Sequence, residues 1–398
     1  MVSLGVFICN DKKIKKIYLI VNGFALIIGY LRSMVYANGI VESIFMNCAL
    51  SMLYWITIVE GYYLISHCTY KQASKLLQFS IILISITCAT SLLGSIAFPG
   101  AIRESSDFSE EEFKYYWFNM GSYSYIYAVT FFVPIFLFYI KNRNILLFNK
   151  GQNDLIIKVI FFEIIITILL SQFMTALLVS FVGVFCLLCS SRSYNTYKHR
   201  LFKFALLGII LLFSLAPIIN WLSSYLEEQG LTSLAERFNG IHQVLTEGFS
   251  AATDDVGARI FLYSLSLQHL VDNPLFGLWG KLGFSRAPYF TADELLNTTY
   301  ATQCVGQHSD IIDLLGGNGL FGLTLFFGFL YYFWKNVRQY AKTESAIIFM
   351  HIALVMFIVY GIFDASLACL DVGFTLFVLT SVILLAEQHQ TFKKRLNN

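Results

Sequence analysis

Ala258-Arg259-Ile260-Phe261-Leu262-Tyr263, then Val271-Asp272-Asn273-Pro274-Leu275-Phe276-Gly277, then Gln307-His308-Ser309-Asp310: these runs lie in one polar stretch, Leu222 to His308, set between long apolar segments. At about 85 residues it is the largest part of the chain with the composition to stand outside a bilayer, and therefore the part with room to build a site. An arginine and a histidine delivered to the mouth of a membrane bundle are its candidate chemistry.

The composition around it is that of a polytopic membrane protein. Of 398 residues, 57 % are hydrophobic and 13 % charged, with a mean hydropathy of +0.65. A soluble domain of this length carries about twice that share of charge. The net charge of +2 gives no global basic field, which argues against a nucleic-acid partner. Cys9, Cys48, Cys68, Cys88, Cys186, Cys189, Cys304 and Cys369 sit in or beside apolar runs, where a disulfide framework has nothing to staple. Cys186-Leu-Leu-Cys189 has redox spacing, but its place at the end of a span reads as small packing residues. The first apolar run lacks a small-residue cleavage site and is long enough to remain as an anchor.

A span needs about 20 apolar residues, and this rule cuts the chain into ten. They are Ile17–Tyr36, Ile40–Ile65, Leu76–Phe98, Tyr116–Ile140, two spans from Leu155 to Cys189 divided near Ser171-Gln172, Phe204–Trp221, Leu314–Trp334, Ala346–Phe363 and Val372–Ala386. The expected architecture is an all-α polytopic membrane protein: residues 1–221 carrying seven spans, 222–313 a large, partly helical external loop, and 314–398 three spans and a tail. With both termini cytoplasmic, the inner segments collect 19 of the 27 Lys and Arg, among them Lys12 to Lys16, Arg192 to Lys203, Lys335, Arg338 and Lys342. The positive-inside rule fixes that orientation, which puts the acidic link Glu104 to Glu112 and the large loop on the far side, the periplasm in a bacterium. No internal repeat relates the halves, as it often does in a secondary transporter.

Within the loop, Ser223 to Phe238 can form one amphipathic surface helix. Thr253-Asp254-Asp255 reads as a helix start, and the helix runs to about Leu270 before Asp272-Asn273-Pro274 stops it. Arg259, Tyr263 and Ser266 then share a face, with Phe261, Leu262, Leu265 and Leu270 as apolar cover. A guanidinium offers a planar fork of donors suited to phosphate oxygens; the same arginine can equally snorkel to headgroups or pair with Asp254 or Asp255. His308 stands just before Leu314-Leu315-Gly316-Gly317-Asn318-Gly319-Leu320-Phe321-Gly322, where the chain re-enters lipid. A histidine there can take a proton from an attacking hydroxyl, with Asp310 or Asp313 to orient it, or can be an ordinary interfacial histidine. The glycines admit close backbone approach or helix packing. Trp279, Tyr289, Phe290 and Tyr300 suit either stacking on sugar rings or anchoring at the headgroups. No metal-ligand constellation stands out. Glu163 inside the fifth span is an intramembrane acid, a functional suspect or a partner for Lys158.

In order and spacing these elements resemble the O-antigen polymerase and ligase superfamily of bacterial inner-membrane glycosyltransferases. The resemblance covers roughly 258–322: Arg259 leading a helix that ends in Asn273-Pro274-Leu275-Phe276-Gly277, and His308 ahead of Gly316, Gly319 and Gly322. It implies transfer of a glycan from undecaprenyl diphosphate to a sugar hydroxyl at the periplasmic face, without nucleotide sugar, metal or other cofactor. Arg259 would hold the diphosphate and His308 would act as general base, with Asp310 behind it and Tyr263, Trp279, Lys281 and Arg286 in the substrate-binding region. The partners implied are undecaprenyl-diphosphate-linked oligosaccharides, the bilayer and a chain-length regulator. Two positions depart from the family pattern. The middle-span Ser-Arg pair is replaced by Ser171-Gln172, leaving Arg32, Arg103, Lys281 or Arg286 to supply that anion contact, and Ser309 stands where asparagine is common. Polymerase is the leading expectation; an O-antigen ligase uses the same donor end, and a lipid-linked oligosaccharide transporter needs charges along its path, for which Glu60, Lys158, Glu163, Asp364 and Asp371 are the material.

Overall fold

The structure is a computed structural model describing residues 11–36, 41–97, 123–141, 153–171, 173–189, 196–203, 205–206, 216–230, 232–248, 255–282, 305, 308–341, 344–365, 367 and 370–379. Among these residues there is no strand. The helices are α1 (Lys12–Tyr36), α2 (Val41–His67), α3 (Tyr70–Ala97), α4 (Tyr123–Thr130), α5 (Phe132–Lys141), α6 (Asn153–Leu170), α7 (Met174–Leu188), α8 (Ala216–Glu228), α9 (Thr232–Glu247), α10 (Asp255–Asp272), α11 (Gly277–Leu282), α12 (Asp310–Arg338), α13 (Glu344–Phe363) and α14 (Leu370–Gly373), the last continued by a π-helical turn, Phe374–Leu379.

Four of these are long and apolar enough to cross a membrane, over Lys12–Leu31, Cys48–His67, Lys75–Gly94 and Asp310–Arg338, with shorter apolar helices at Tyr125–Leu137, Met174–Leu188 and Ile347–Phe363. Large apolar side chains such as Leu19, Phe79, Leu93, Phe162 and Phe181 point away from the bundle and stay exposed. Water would penalise so much apolar surface; lipid accepts it, which fits a membrane-embedded protein.

Between the helices the packing is aromatic. Trp55 is fully buried and meets Phe24, Tyr54, Phe326, Phe329 and Phe377, while Phe24 stacks on Phe329 with centroids 3.7 Å apart. Lipid removes the hydrophobic drive for one helix to seek another, so shape complementarity and ring pairs, each worth about 0.5–1.5 kcal/mol, hold α1, α2, α12 and the π-turn together. At one end of this group Lys13 Nζ donates to Gln339 Oε1 at 3.3 Å and the Tyr62 and Tyr340 hydroxyls lie 3.2 Å apart. The start of α1, the end of α2 and the end of α12 therefore share a face.

Several sequence boundaries take physical form. The long run 155–189 is divided as expected: α6 ends at Leu170, Ser171 Oγ turns back to the Ile168 carbonyl at 2.7 Å, and α7 starts at Met174. Cys186 and Cys189 are buried free thiols, in line with a packing role. The described part of the expected fourth span is a pair of short helices, α4 and α5, meeting at Phe131. Pro134 lacks the amide that would reach back to Thr130, so the helix cannot run through. Ser223 to Phe238 is not one helix. Gly230, at φ 75°, ends α8 in a left-handed turn and α9 folds back on it, pinned by a 2.7 Å bond from Ser223 Oγ to the Ala235 carbonyl. α8 runs through position 222 and α12 through position 314, so loop and span share continuous helices. Most of the seventh span, the acidic link 104–112, the start of the fourth span, the end of the tenth and the basic tail lie outside the described residues.

The contact that positions the site is between α12 and the turn after α10. α12 is broken at Gly319, whose φ of 62° and ψ of −158° leave the helical region. Freed from the helix ladder, the Leu320 and Phe321 amides donate to the Pro274 and Leu275 carbonyls at 2.9 and 3.1 Å. A Cβ on Gly319 would sit 2.5 Å from the Leu275 carbonyl carbon, one on Gly316 would meet the Ser266 backbone, and one on Gly277 (φ 57°) would meet the Gly316 carbonyl. The glycines are there because two backbones touch.

Candidate active site

α10 carries Arg259, Tyr263 and Ser266 at spacings of four and three, so the three side chains leave one face of the helix. Arg259 Nη1 donates to the Phe363 carbonyl at 2.8 Å, and Tyr263 Oη donates to the same oxygen at 3.3 Å. Phe363 closes α13, where the last carbonyls have no partner within the helix and the dipole is negative. Burial pushes the Tyr263 phenol up to about 12; nearby Arg259 pulls it down, and Asp364 and Asp313 push it up. The phenol is thus neutral and donating across the physiological range.

One turn further along, Ser266 Oγ donates to Asp313 Oδ1 at 2.6 Å, with Ser266 at 0 % and Asp313 at 2 % exposure. Asp313 Oδ2 accepts the Ser309 amide at 2.8 Å, and the His308 backbone also donates to this carboxylate. Ser309 is the N-cap of α12: its Oγ accepts the Ile312 amide at 3.1 Å and donates to the Gly361 carbonyl at 2.9 Å. The Ser309 hydroxyl thus caps the Ile312 amide while the Asp313 carboxylate reaches back to the Ser309 amide, a capping box whose acidic partner stands one residue later than usual. His308 is half-buried immediately ahead of this cap, with its own backbone and that of Ser309 held by Asp313.

Asp310 completes the junction. Its Oδ2 accepts the Leu367 amide at 2.6 Å and its own amide donates to the Asp364 carbonyl at 3.4 Å. The Asp364 carboxylate accepts the Tyr127 hydroxyl at 2.8 Å and the Ala365 amide at 2.9 Å, and the Tyr127 ring stacks on Tyr360 at 4.4 Å. A single polar cluster therefore ties α4, α10, the head of α12 and the end of α13 together.

By fold and site this is an all-α, membrane-embedded protein with a buried carboxylate cluster at one end of its helices and a cationic, phenolic helix face laid across it. No protein-family model, curated protein or solved structure matches the chain.

Of the residues singled out in the sequence, Arg259, Tyr263, His308 and Asp310 fall on this junction. Trp279 stands beside it, packed edge-on to Phe276 at 5.8 Å and against Phe321 at 6.2 Å, so it braces the Pro274 turn. Lys281 lies in α11, but its side chain, like that of Arg32, is outside the described residues, as are Arg103, Arg286, Tyr289, Phe290 and Tyr300. Glu163 accepts the Ser85 hydroxyl at 2.7 Å, which links α6 to α3. Among the described residues no three His, Cys, Asp or Glu side chains gather closely enough to hold a metal ion. Sequence reasoning missed Tyr127, and it read Asp364 only as a charge along a path. The usable signal was that an acid inside an apolar run needs a partner.

Proposed function

We propose that this protein is a surface-polysaccharide polymerase of the O-antigen type, a ten-span protein of the bacterial inner membrane with both termini cytoplasmic, working at the periplasmic face. It moves a growing glycan from undecaprenyl diphosphate to a hydroxyl of a lipid-linked repeat unit. The observation that carries this reading is the junction itself. Arg259 and His308, some 50 residues apart in sequence, stand on two elements stitched together by the Ser266–Asp313 bond.

In the proposed step His308 accepts the proton of the acceptor hydroxyl as its oxygen attacks the anomeric carbon. The bond from that carbon to the diphosphate oxygen breaks, the configuration inverts, and the lipid diphosphate leaves as an anion held by Arg259. A guanidinium has five N–H donors, and the Phe363 contact through Nη1 uses one of them. Anchoring through that contact fixes the fork in place while its charge faces the leaving group, which suits stabilisation of charge developing in the transition state. Asp313 and Ser309 act through His308 by fixing its backbone.

In cells lacking their own polymerase, wild-type protein should restore long chains. His308→Ala and Arg259→Ala, each shown to be inserted in the membrane, should leave a single repeat unit on the lipid core. Long chains from either variant would overturn the site assignment; wild-type protein that restores no long chains here but restores capping of the core in cells lacking their own ligase would favour the ligase.

A further inference from the structure

The opposite end of α12 holds a second feature. Tyr331, Lys335 and Arg338, at spacings of four and three, form one exposed face of α12, and Ile347, Met350, His351 and Leu354 form the facing stripe of α13. Between them runs an open groove of about 520 Å³ with Trp334 in its wall. Its lining is of two kinds: Ile347, Met350 and Leu354 are apolar, and Lys335 and Arg338, both exposed and about one helical turn apart, are cationic. Among the described residues no carboxylate lines it. Trp334 is 8 % exposed, and its indole N–H has no hydrogen-bond partner among the described residues.

Beyond the break at Gly319, Leu320 to Arg338 rises about 27 Å at 1.5 Å per residue, close to the roughly 30 Å of a bilayer's hydrocarbon core. Lys335 and Arg338 are the basic residues of the last turn of this span, at the depth where it meets a headgroup layer. Lys13, whose ammonium bonds Gln339 on the groove's rim, adds a third cation to that face. Lone cations at a membrane surface can snorkel outward singly. Here two line one largely apolar groove, the arrangement by which basic pockets between spans retain anionic lipids.

We infer that this groove is a binding site for an anionic phospholipid, its acyl chain lying on Ile347, Met350 and Leu354 and its phosphate between Lys335 and Arg338. The site is separate from the proposed glycosyl transfer and stands whether or not that reading holds.

The test uses the full-length protein, delipidated in detergent and titrated with brominated phosphatidylglycerol or brominated phosphatidylcholine, reading quenching of tryptophan emission. The quenching that disappears in Trp334→Phe reports the groove. The anionic lipid should quench that component at about tenfold or more lower concentration than the zwitterionic one. Lys335→Gln/Arg338→Gln should remove the preference, each cation contributing roughly a factor of five, without lowering the thermal midpoint, because both residues are exposed. Inorganic phosphate at 20-fold excess should not compete. Equal quenching by the two lipids, a preference that survives the double variant, or full displacement by free phosphate would each overturn the lipid site.

Discussion

Asp313 is the residue on which the junction turns. Its carboxylate is out of reach of water, so its partners replace hydration: the Ser266 hydroxyl and the Ser309 amide are named bonds, and the His308 backbone adds a third. Deleting one donor to a buried charged acceptor costs about 1.5–3 kcal/mol. Ser266→Ala is therefore expected to destabilise the detergent-solubilised protein by that amount, read as a lower midpoint of unfolding. Ser264→Ala, on the exposed side of the same helix and bonded only to its own turn, should change it by less than about 0.5 kcal/mol. Equal effects would mean that the Ser266–Asp313 bond does not hold the two elements. Arg259 gives a second comparison at this scale. Lysine keeps the charge but loses the planar fork, so Arg259→Lys, still inserted, should transfer glycan at least about tenfold more slowly than wild type in a timed assay of chain growth. Wild-type rates in that variant would show that the fork is not used.

At the scale of elements, the break in α12 is the device that lets a loop helix dock on a span. Gly319→Ala adds a methyl 2.5 Å from the Leu275 carbonyl carbon at a backbone position of positive φ and extended ψ that essentially only glycine adopts, where a side chain alone costs about 1–3 kcal/mol. The expected result is loss of hydrogen-exchange protection at the Leu320 and Phe321 amides, with Gly328→Ala, which meets nothing within 4 Å, as the neutral control. Retained protection would contradict the docking. This scale also shows where the sequence was readable. The stop at Asp272-Asn273-Pro274, the division near Ser171 and the shared face of Arg259, Tyr263 and Ser266 follow from local rules of proline, hydroxyl and helical period, and each is present. The α8–α9 hairpin was not readable in the same way: helical spacing from Ser223 to Phe238 continues through Gly230, and only the backbone shows the left-handed turn. The partners of Arg259 were equally hidden, because a main-chain carbonyl at a helix end has no signature in residue type. Phe363 enters the site through its oxygen, and Tyr127 through a stack and a hydroxyl contributed from more than 200 residues away.

For the whole molecule, the helices define two ends with different chemistry. One end gathers the buried carboxylates, the phenols, Arg259 and His308; the other gathers Lys13, Lys335 and Arg338 around an apolar groove. If the proposed reaction and the inferred lipid site both hold, one helix, α12, joins the two and would fix the depth and orientation of the chain. The claim at the centre of this account is metal-independent glycan polymerisation at the first end. It is tested most directly by incubating the purified protein with a synthetic undecaprenyl-diphosphate-linked repeat unit, with EDTA present and no nucleotide sugar, and resolving the products by mass. A ladder of two, three and more repeats on one lipid, absent with His308→Ala, is the predicted result; an unchanged single repeat, or a ladder that persists without His308, would contradict it.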